Sequence, residues 1–470
     1  MERQVTSEER LNALGYTGSF DRRLSLRGNI ALTLSDITPA GSLLVVGIAV
    51  VSVAGTGSVI AYLIGAALAV MVALCMAELG SVFPLSGGIY SIVGRVLGQH
   101  TAFLSLVGYI VQAVFLPASI ALGIGTYLHS LNPSLNVSIW SAVAMLVVTG
   151  LALLKIQANA IMTGIFLVLE MVVIVVIAIA GYSNVSQPIS TFTHPVGVVD
   201  GQLTSFGAGV VIAAVAIAMQ SVNGYDAAIA FAEETAGRAR TVGKAVLFSC
   251  LVGIALEVGA FIASAIGAPD LHTYLQSGTP LTYVVNAHWG QTAATIVVVG
   301  AIIAFFNACL AITLQFARIL WASGRDEVWP HRISGALAKV HHRTGTPWVS
   351  TLLVGLLATV LCLTLTLVAA VTFVSVFTIA NYVFIAIAAL VHRIREPDSP
   401  RPFRMPLWPA PPIIAGLGAL LAISQQSYAD IAVVVGLFIL GLIYWALYLR
   451  PKNRDISSLV SDADQAPTNS

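Results

Sequence analysis

The sequence predicts an all-α polytopic membrane protein of twelve spans with both termini in the cytoplasm, and three observations predict it. The first is composition: of 470 residues 57 % are hydrophobic and 9 % charged, with a mean hydropathy of +0.91, beyond what soluble domains carry. The second is the position of the basic residues, which fall on alternate loops. The third is a pair of membrane-length segments, five spans apart, that are each interrupted by polar and helix-breaking residues. The net charge of +1 is segregated into loops and tails and gives no reason to expect a nucleic-acid partner.

The spans are predicted at residues 26–53, 56–80, 88–128, 138–155, 157–181, 206–235, 240–267, 291–322, 347–366, 369–391, 408–424 and 430–449. Cytoplasmic loops collect Lys and Arg. All 22 basic residues precede span 1 or follow spans 2, 4, 6, 8, 10 and 12, from Arg95 and Lys155 to the cluster Arg393, Arg395, Arg401 and Arg404. A missed span would scramble that alternation. Spans 3 and 8 exceed a bilayer's need, which implies steep tilt. The tails, Met1 to Asp21 and Asp455 to Ser470, have the composition of disordered segments. Cys75, Cys250, Cys309 and Cys362 lie in different apolar segments and read as small packing residues, not a disulfide framework.

Span 1 carries Ser35-Asp36-Ile37-Thr38-Pro39-Ala40-Gly41-Ser42 in its middle. With a helix starting near Leu26, Asp36 lies about 15 Å in, near the midplane of a roughly 30 Å hydrocarbon layer. Pro39 cannot serve the turn before it, so the helix is expected to break at Asp36 to Thr38 and restart at Pro39. Backbone groups freed in lipid cost several kcal/mol each unless they line a cavity or bind something. The restarted half-helix would aim the Ala40, Gly41 and Ser42 N–H groups at such a cavity, a site for a small anion such as a carboxylate. Span 6 repeats the oddity, with Ser221, Asn223, Gly224 and Asp226 inside an apolar run. Two broken helices on opposite topological orientations are the trace of an inverted repeat, with a binding site where the breaks meet. The division is then a tail over 1–23, five-helix repeats over 24–182 and 205–393, helices 11 and 12 over 405–450, and a tail over 451–470.

Several segments resemble the amino acid–polyamine–organocation superfamily of permeases. They are AELGSVFPLSGGIYSIVGRVLG from Ala77, GYDAAIAFAEETAGRARTVGKAV from Gly224, ARILWASGRDEVWP from Ala317 and RTGTPWV from Arg343, in the superfamily's order. The resemblance implies the leucine-transporter fold, a 5+5 inverted repeat with two extra helices. It also implies transport by alternating access, spans 1, 2, 6 and 7 rocking against spans 3, 4, 5, 8, 9 and 10. The chain departs from the pattern in span 5, where some proton-coupled members place a lysine and this sequence has Glu170.

The predicted pocket uses Ile37, Thr38, Ala40, Gly41 and Ser42 of the first break and Gln220, Ser221, Asn223, Gly224 and Tyr225 of the second. Its amide groups would take a substrate carboxylate, while span 6 carbonyls and Asp36 would take an amine. The alternative is a pair of packing kinks beside small residues. Asp36 is either an amine ligand or a proton site, or a carboxyl satisfied by nearby amides. Tyr225 follows Gly224, where the superfamily often has an aromatic that covers substrate, and Asp226 is at its common acidic position. Glu170, Asp36 and Asp226 are candidates for ion coupling, with Glu257 a further membrane acid. Tyr109 and Gln112, Asn307 and Thr313, and Asn381 are candidates to line the pocket. Glu78, Glu233 and Glu234 sit at cytoplasmic helix ends beside Arg-containing loops, placed for inner-gate salt bridges or for ordinary solvation.

No metal-ligand spacing, nucleophile triad or phosphate-binding glycine loop is present, so an enzyme is not expected, nor any cofactor. A proton gradient is the expected energy source, with sodium left open. The reading is a cell-membrane transporter of amino acids or related small amines. A carrier of cationic amines such as putrescine is the alternative within transport. A receptor or accessory subunit that binds without transport is the alternative outside it. Oligomeric state is open.

Overall fold

Pro39 has no amide proton for the turn before it, and the backbone parts there. The structure, a computed structural model, describes residues 24–236 and 239–452; both predicted disordered tails and Arg238 lie outside the described residues. Helix α1 covers Leu26–Ile37 and α2 Pro39–Ala54, with Thr38 between them in the left-handed region at φ 43°. That conformation costs a non-glycine residue roughly 1–2 kcal/mol, so local interactions must hold it.

The chain continues through α3 (Ser58–Val82), α4 (Gly88–Leu97), α5 (Gln99–Leu131), α6 (Val137–Ala152) and α7 (Ile156–Tyr182). After a connection come α8 (Ala208–Ser221), α9 (Ala239–Ile266), α10 (Pro280–Arg325), α11 (Trp348–Thr364), α12 (Leu367–Arg395), α13 (Ala410–Ser424) and α14 (Tyr428–Tyr444). These helices overlap every predicted span. Among the described residues seven stretches are long and apolar enough to cross a membrane, and five shorter apolar helices accompany them.

Four features depart from the sequence reading. Span 3 is not one tilted helix: Gly98, at φ 93°, separates α4 from α5 in a conformation that a side chain would strain. Helix α10 begins at Pro280, ahead of the predicted start, and bends at Gly290, next to that start. Span 6 does not resume a long helix after its break; only a single turn, Ala227–Ala230, follows. The connection before α8 holds an antiparallel hairpin, β1 (Val196–Val199) and β2 (Gln202–Ser205), so the chain is not purely α. Asp200 and Gly201 both take positive φ between the strands, the two-residue turn that an Asp-Gly pair favours.

Helix α7 displays the packing logic of a protein that faces lipid. Ile161, Ile165, Val168, Val172, Val175 and Ile179 recur at helical spacing and are about half exposed or more. The opposite face buries Asn159, Thr163 and Glu170. An apolar outside with a polar stripe inside lets hydrocarbon meet hydrocarbon, and it aims Asn159, Thr163 and Glu170 at the bundle interior. There α1 packs against α7, α9 and α10, and α2 against α8. The four cysteines are unpaired and buried in this packing.

Candidate functional site

The two breaks touch at the centre of the bundle. Gly224, at φ 111°, lies against the end of α1: a Cβ added there would sit 2.7 Å from the Ile37 nitrogen and 2.8 Å from Asp36 Oδ2. Glycine is what lets the two irregular backbones approach this closely. Beside this contact is a narrow cavity of about 20 Å³, room for a water and too small for an amino acid. Asp36, Ile37, Thr38 and Ser42 line it from the first break, Gln220 and Asn223 from the second. Ser119 of α5 is a further polar lining residue, and Ile120, Ile312 and Val374 bring apolar surface from α5, α10 and α12.

Two acceptors of this cavity are unmet. Asp36 Oδ1 and Gln220 Oε1 are buried with no hydrogen-bond partner. Asn223 Oδ1 accepts the Tyr382 hydroxyl at 2.5 Å, and the Ser42 hydroxyl donates to the Ile37 carbonyl at 2.9 Å. No Lys, Arg or His lines the cavity. A ligand that satisfies these two acceptors must donate hydrogen bonds, and positive charge would be favoured beside Asp36.

The amide groups expected to face this cavity do not. The Ala40 N–H donates to Glu170 Oε1 at 2.8 Å, and Gly41 does not line the cavity. The Thr38 hydroxyl adds a bond at 3.0 Å and Asn307 Nδ2 one to Oε2 at 3.4 Å. The Ser42 N–H is spent on the Thr38 carbonyl at 2.8 Å. The N-terminus of α2 holds a carboxyl group, and the chain's own α7 supplies it where a substrate carboxylate was expected. These bonds also hold the left-handed Thr38. Glu170 and Asn307 are thereby brought together, behind the cavity wall.

The other predicted residues divide. Asp226 accepts the Tyr109 hydroxyl at 2.7 Å, and Tyr109 also takes the Ile89 N–H at 3.2 Å; neither lines the cavity. Tyr225 is fully buried and stacks on Tyr382 with 6.2 Å between ring centres, so it does not cover the cavity here. Ser221 turns away, donating to Glu257 Oε2 at 2.9 Å and bonding the Tyr62 hydroxyl at 2.9 Å. Gln112 bonds Thr378 and Thr313 the Cys309 carbonyl, while Asn381 lies against Gly108. Sequence reasoning missed Ser119, Ile120, Ile312, Val371 and Val374 as lining residues. Only Ser119 carried a signal, two residues beyond Pro117 inside a helix.

The end of the bundle predicted to be cytoplasmic is tied shut by the acids singled out for it. Glu234 pairs with Arg318, both fully buried, and the Leu24 N–H donates to the Glu234 carbonyl at 3.0 Å. Glu233 takes Arg325 at 2.8 Å and the Ser86 N–H at 2.9 Å. Glu78 pairs with Arg393 and accepts the Met405 N–H at 2.7 Å.

Comparison with known proteins gives a consistent picture. The sequence model for amino acid permeases matches residues 24–449. The branched-chain amino acid permease BcaP of Bacillus subtilis is 25 % identical over 93 % of this chain and 99 % of that protein. The methylthioribose transporter of the same organism is 24 % identical over 94 % and 96 %. A mitochondrial cationic amino acid transporter of Arabidopsis thaliana is 26 % identical over 79 % of this chain and 62 % of that protein.

Proposed function

Because the chain belongs to the amino acid permease family of the amino acid–polyamine–organocation superfamily, we propose that it is a secondary active transporter moving an amino acid or related small amine across the cell membrane. The observation that carries this reading is the pair of unpartnered buried acceptors, Asp36 Oδ1 and Gln220 Oε1, at the cavity where two broken helices meet. Unsatisfied acceptors deep in a membrane bundle are costly, and an ammonium group would satisfy both.

The packing supports alternating access. The cavity is too small for substrate and its Arg–Glu ties close one end, which supports a closed resting state that opens by moving α1, α2, α3, α8 and α9 against the remaining helices. This is the motion of the leucine-transporter fold, with the two breaks as related elements of a 5+5 inverted repeat. The basic loops support a cytoplasmic position for both termini. A proton gradient is the energy source we favour: among the described residues, Asp36, Glu170 and Asp226 have no Lys, Arg or His partner.

A cationic amine is the second reading within transport. Its support is the occupied N-terminus of α2: with Glu170 on the Ala40 N–H, the site for a substrate carboxylate is already filled. Uptake of radiolabelled amino acids and of putrescine into proteoliposomes, with and without an inward proton gradient, decides between them. Accumulation of a neutral amino acid, lost in Asp36→Asn, supports the first reading, and uptake of putrescine alone the second. Binding without uptake under any gradient sinks transport and leaves a receptor.

A further inference from the structure

Among the described residues two buried glutamates, Glu170 and Glu257, have no basic partner, and their surroundings differ in kind. Glu170 accepts from Thr38, Ala40 and Asn307 at a helix N-terminus, so all of its bonds are made to donors and suit a carboxylate. Glu257, on α9, is fully buried and takes one bond, from Ser221; its Oε1 has no partner. An ionised carboxylate offers about four acceptor sites, and leaving three of them empty in hydrocarbon is a heavy penalty. A carboxylic acid at the same place has a proton to share and fewer valences to fill.

The groups facing Glu257 supply no positive charge. Tyr62 comes from α3, Ser221 from α8 and Glu170 from α7; α2 and the turn Ala227–Ala230 bring no titratable residue, Asp36 of α1 lies at the substrate cavity, and Arg318 and Arg325 of α10 are held by Glu234 and Glu233 at the inner end. On α9 itself Cys250 is nearby, and Lys244 is about 20 Å away along the axis. Tyr274 lies beyond Tyr62, while His288 and Tyr182 bond carbonyls at the exported end, Gly267 and Gly259.

We propose that Glu257 carries the transported proton, and that Ser221 passes its state to the break in the sixth span. Tyr62, Ser221 and Glu257 form one chain of hydrogen bonds, at 2.9 Å and 2.9 Å, that can run in either direction. With the proton on Glu257, Oε2–H donates to Ser221 Oγ and the serine proton turns to Tyr62. When the O–H bond breaks and the proton leaves to water, the serine proton turns back to the carboxylate. Ser221 is the last residue of α8, directly after Gln220 and two residues before Asn223, both in the cavity wall. A change at Glu257 therefore reaches the substrate cavity through one residue, and Glu257 itself need not touch substrate.

This inference rests on the transporter reading, and its test separates the two. One coupled proton under a gradient of one pH unit permits accumulation of at most about tenfold. In proteoliposomes Glu257→Gln should reduce that accumulation to none, and Glu257→Asp, which restores the acid, should recover part of it. Infrared difference spectra of the purified chain between acidic and alkaline buffer read the proton without transport. The carbonyl band of a protonated carboxyl group should be lost in E257Q and shifted in Ser221→Ala, which serves as the second variant where E257Q does not fold. Accumulation in E257Q equal to that of the unaltered chain overturns the inference, as does a band unchanged in both variants, even where accumulation falls. An unaltered chain that moves no probe under any gradient overturns transport instead, while the band still decides whether Glu257 is protonated.

Discussion

Removing Arg318 should open the inner end of the bundle. Its guanidinium pairs with Glu234 and donates from Nη1 to the Leu314 carbonyl at 2.8 Å, and it lies 5.1 Å from the Phe231 ring centre. Both side chains of the pair are essentially fully buried. In Arg318→Met the closed state keeps a buried carboxylate with no counter-charge, a loss of about 3–5 kcal/mol. The open state hydrates Glu234 and bears little of that cost. The closed-to-open ratio should therefore fall on the order of 10²- to 10⁴-fold. A cysteine at Ser119, in the cavity wall, reports the opening in a background lacking the four native cysteines. Its alkylation by an impermeant maleimide in inside-out vesicles should accelerate in R318M until opening is complete. The double variant R318M/E234Q leaves no charge behind and should return most of the way to the original rate. Two results refute the reasoning: an unchanged rate in R318M, or a double variant as reactive as the single one. The first means the pair does not hold the gate, and the second means the effect came from lost packing around Phe231.

Three further outcomes follow from the geometry. Gly224→Ala places a methyl 2.7 Å from the Ile37 nitrogen at a φ of 111°, so uptake should fall to background, while Gly209→Ala, which meets nothing within 4 Å, should leave it intact; matched uptake by the two variants would show that the breaks need not touch. Glu170→Gln replaces charge-assisted bonds at the start of α2 and turns an amide donor toward Asn307, so thermal unfolding in detergent should show a loss of about 2–3 kcal/mol, and an unchanged midpoint would contradict the assigned cap. Tyr109→Phe removes the hydroxyl shared by Asp226 and the Ile89 N–H, and should cost about 1–3 kcal/mol of stability without altering which substrate is moved, since neither partner lines the cavity; a changed substrate preference would place Asp226 in the binding site.

The features legible in the sequence were those set by local chemistry. Pro39 forces a break because it lacks a proton, and α1 ends at Ile37 accordingly. Gly224 and its polar neighbours mark the second break equally plainly, and α8 ends at Ser221. The hairpin at 196–205 was also written in the sequence, as Asp200-Gly201 between two short runs of β-branched and apolar residues, but membrane-length periodicity drew attention away from a short polar connection. Partners far apart in the chain were not legible. Nothing in the residues around Glu170 says that its carboxyl will meet the Ala40 N–H, since its immediate neighbours on α7 are apolar and its direction depends on how α1, α2 and α10 pack on that helix. Lining residues such as Ile312 and Val374 were beyond reach for the same reason: inside a membrane bundle the wall of a cavity and the face toward lipid use the same residue types.

The two breaks also differ chemically. At the first, amide donors are exposed by Pro39 and then consumed by Glu170, so what remains toward the cavity is the acceptor Asp36. At the second, the ordered groups are Ser221, held by Glu257 and Tyr62, and Asn223, held by Tyr382, and what remains is the acceptor Gln220 Oε1. In both, a side chain from a neighbouring helix takes the group that a helix break would otherwise offer to substrate. A carboxylate on the substrate could bind at α2 only by displacing Glu170, whose charge would then need another partner, whereas an amine needs no displacement at all. Competition separates these cases: if a carboxylate displaces Glu170, Glu170→Ala should bind free acetate at the vacated N-terminus and its amino acid uptake should become acetate-sensitive. If the amine alone is recognised, acetate should leave uptake by both the unaltered chain and the variant unchanged.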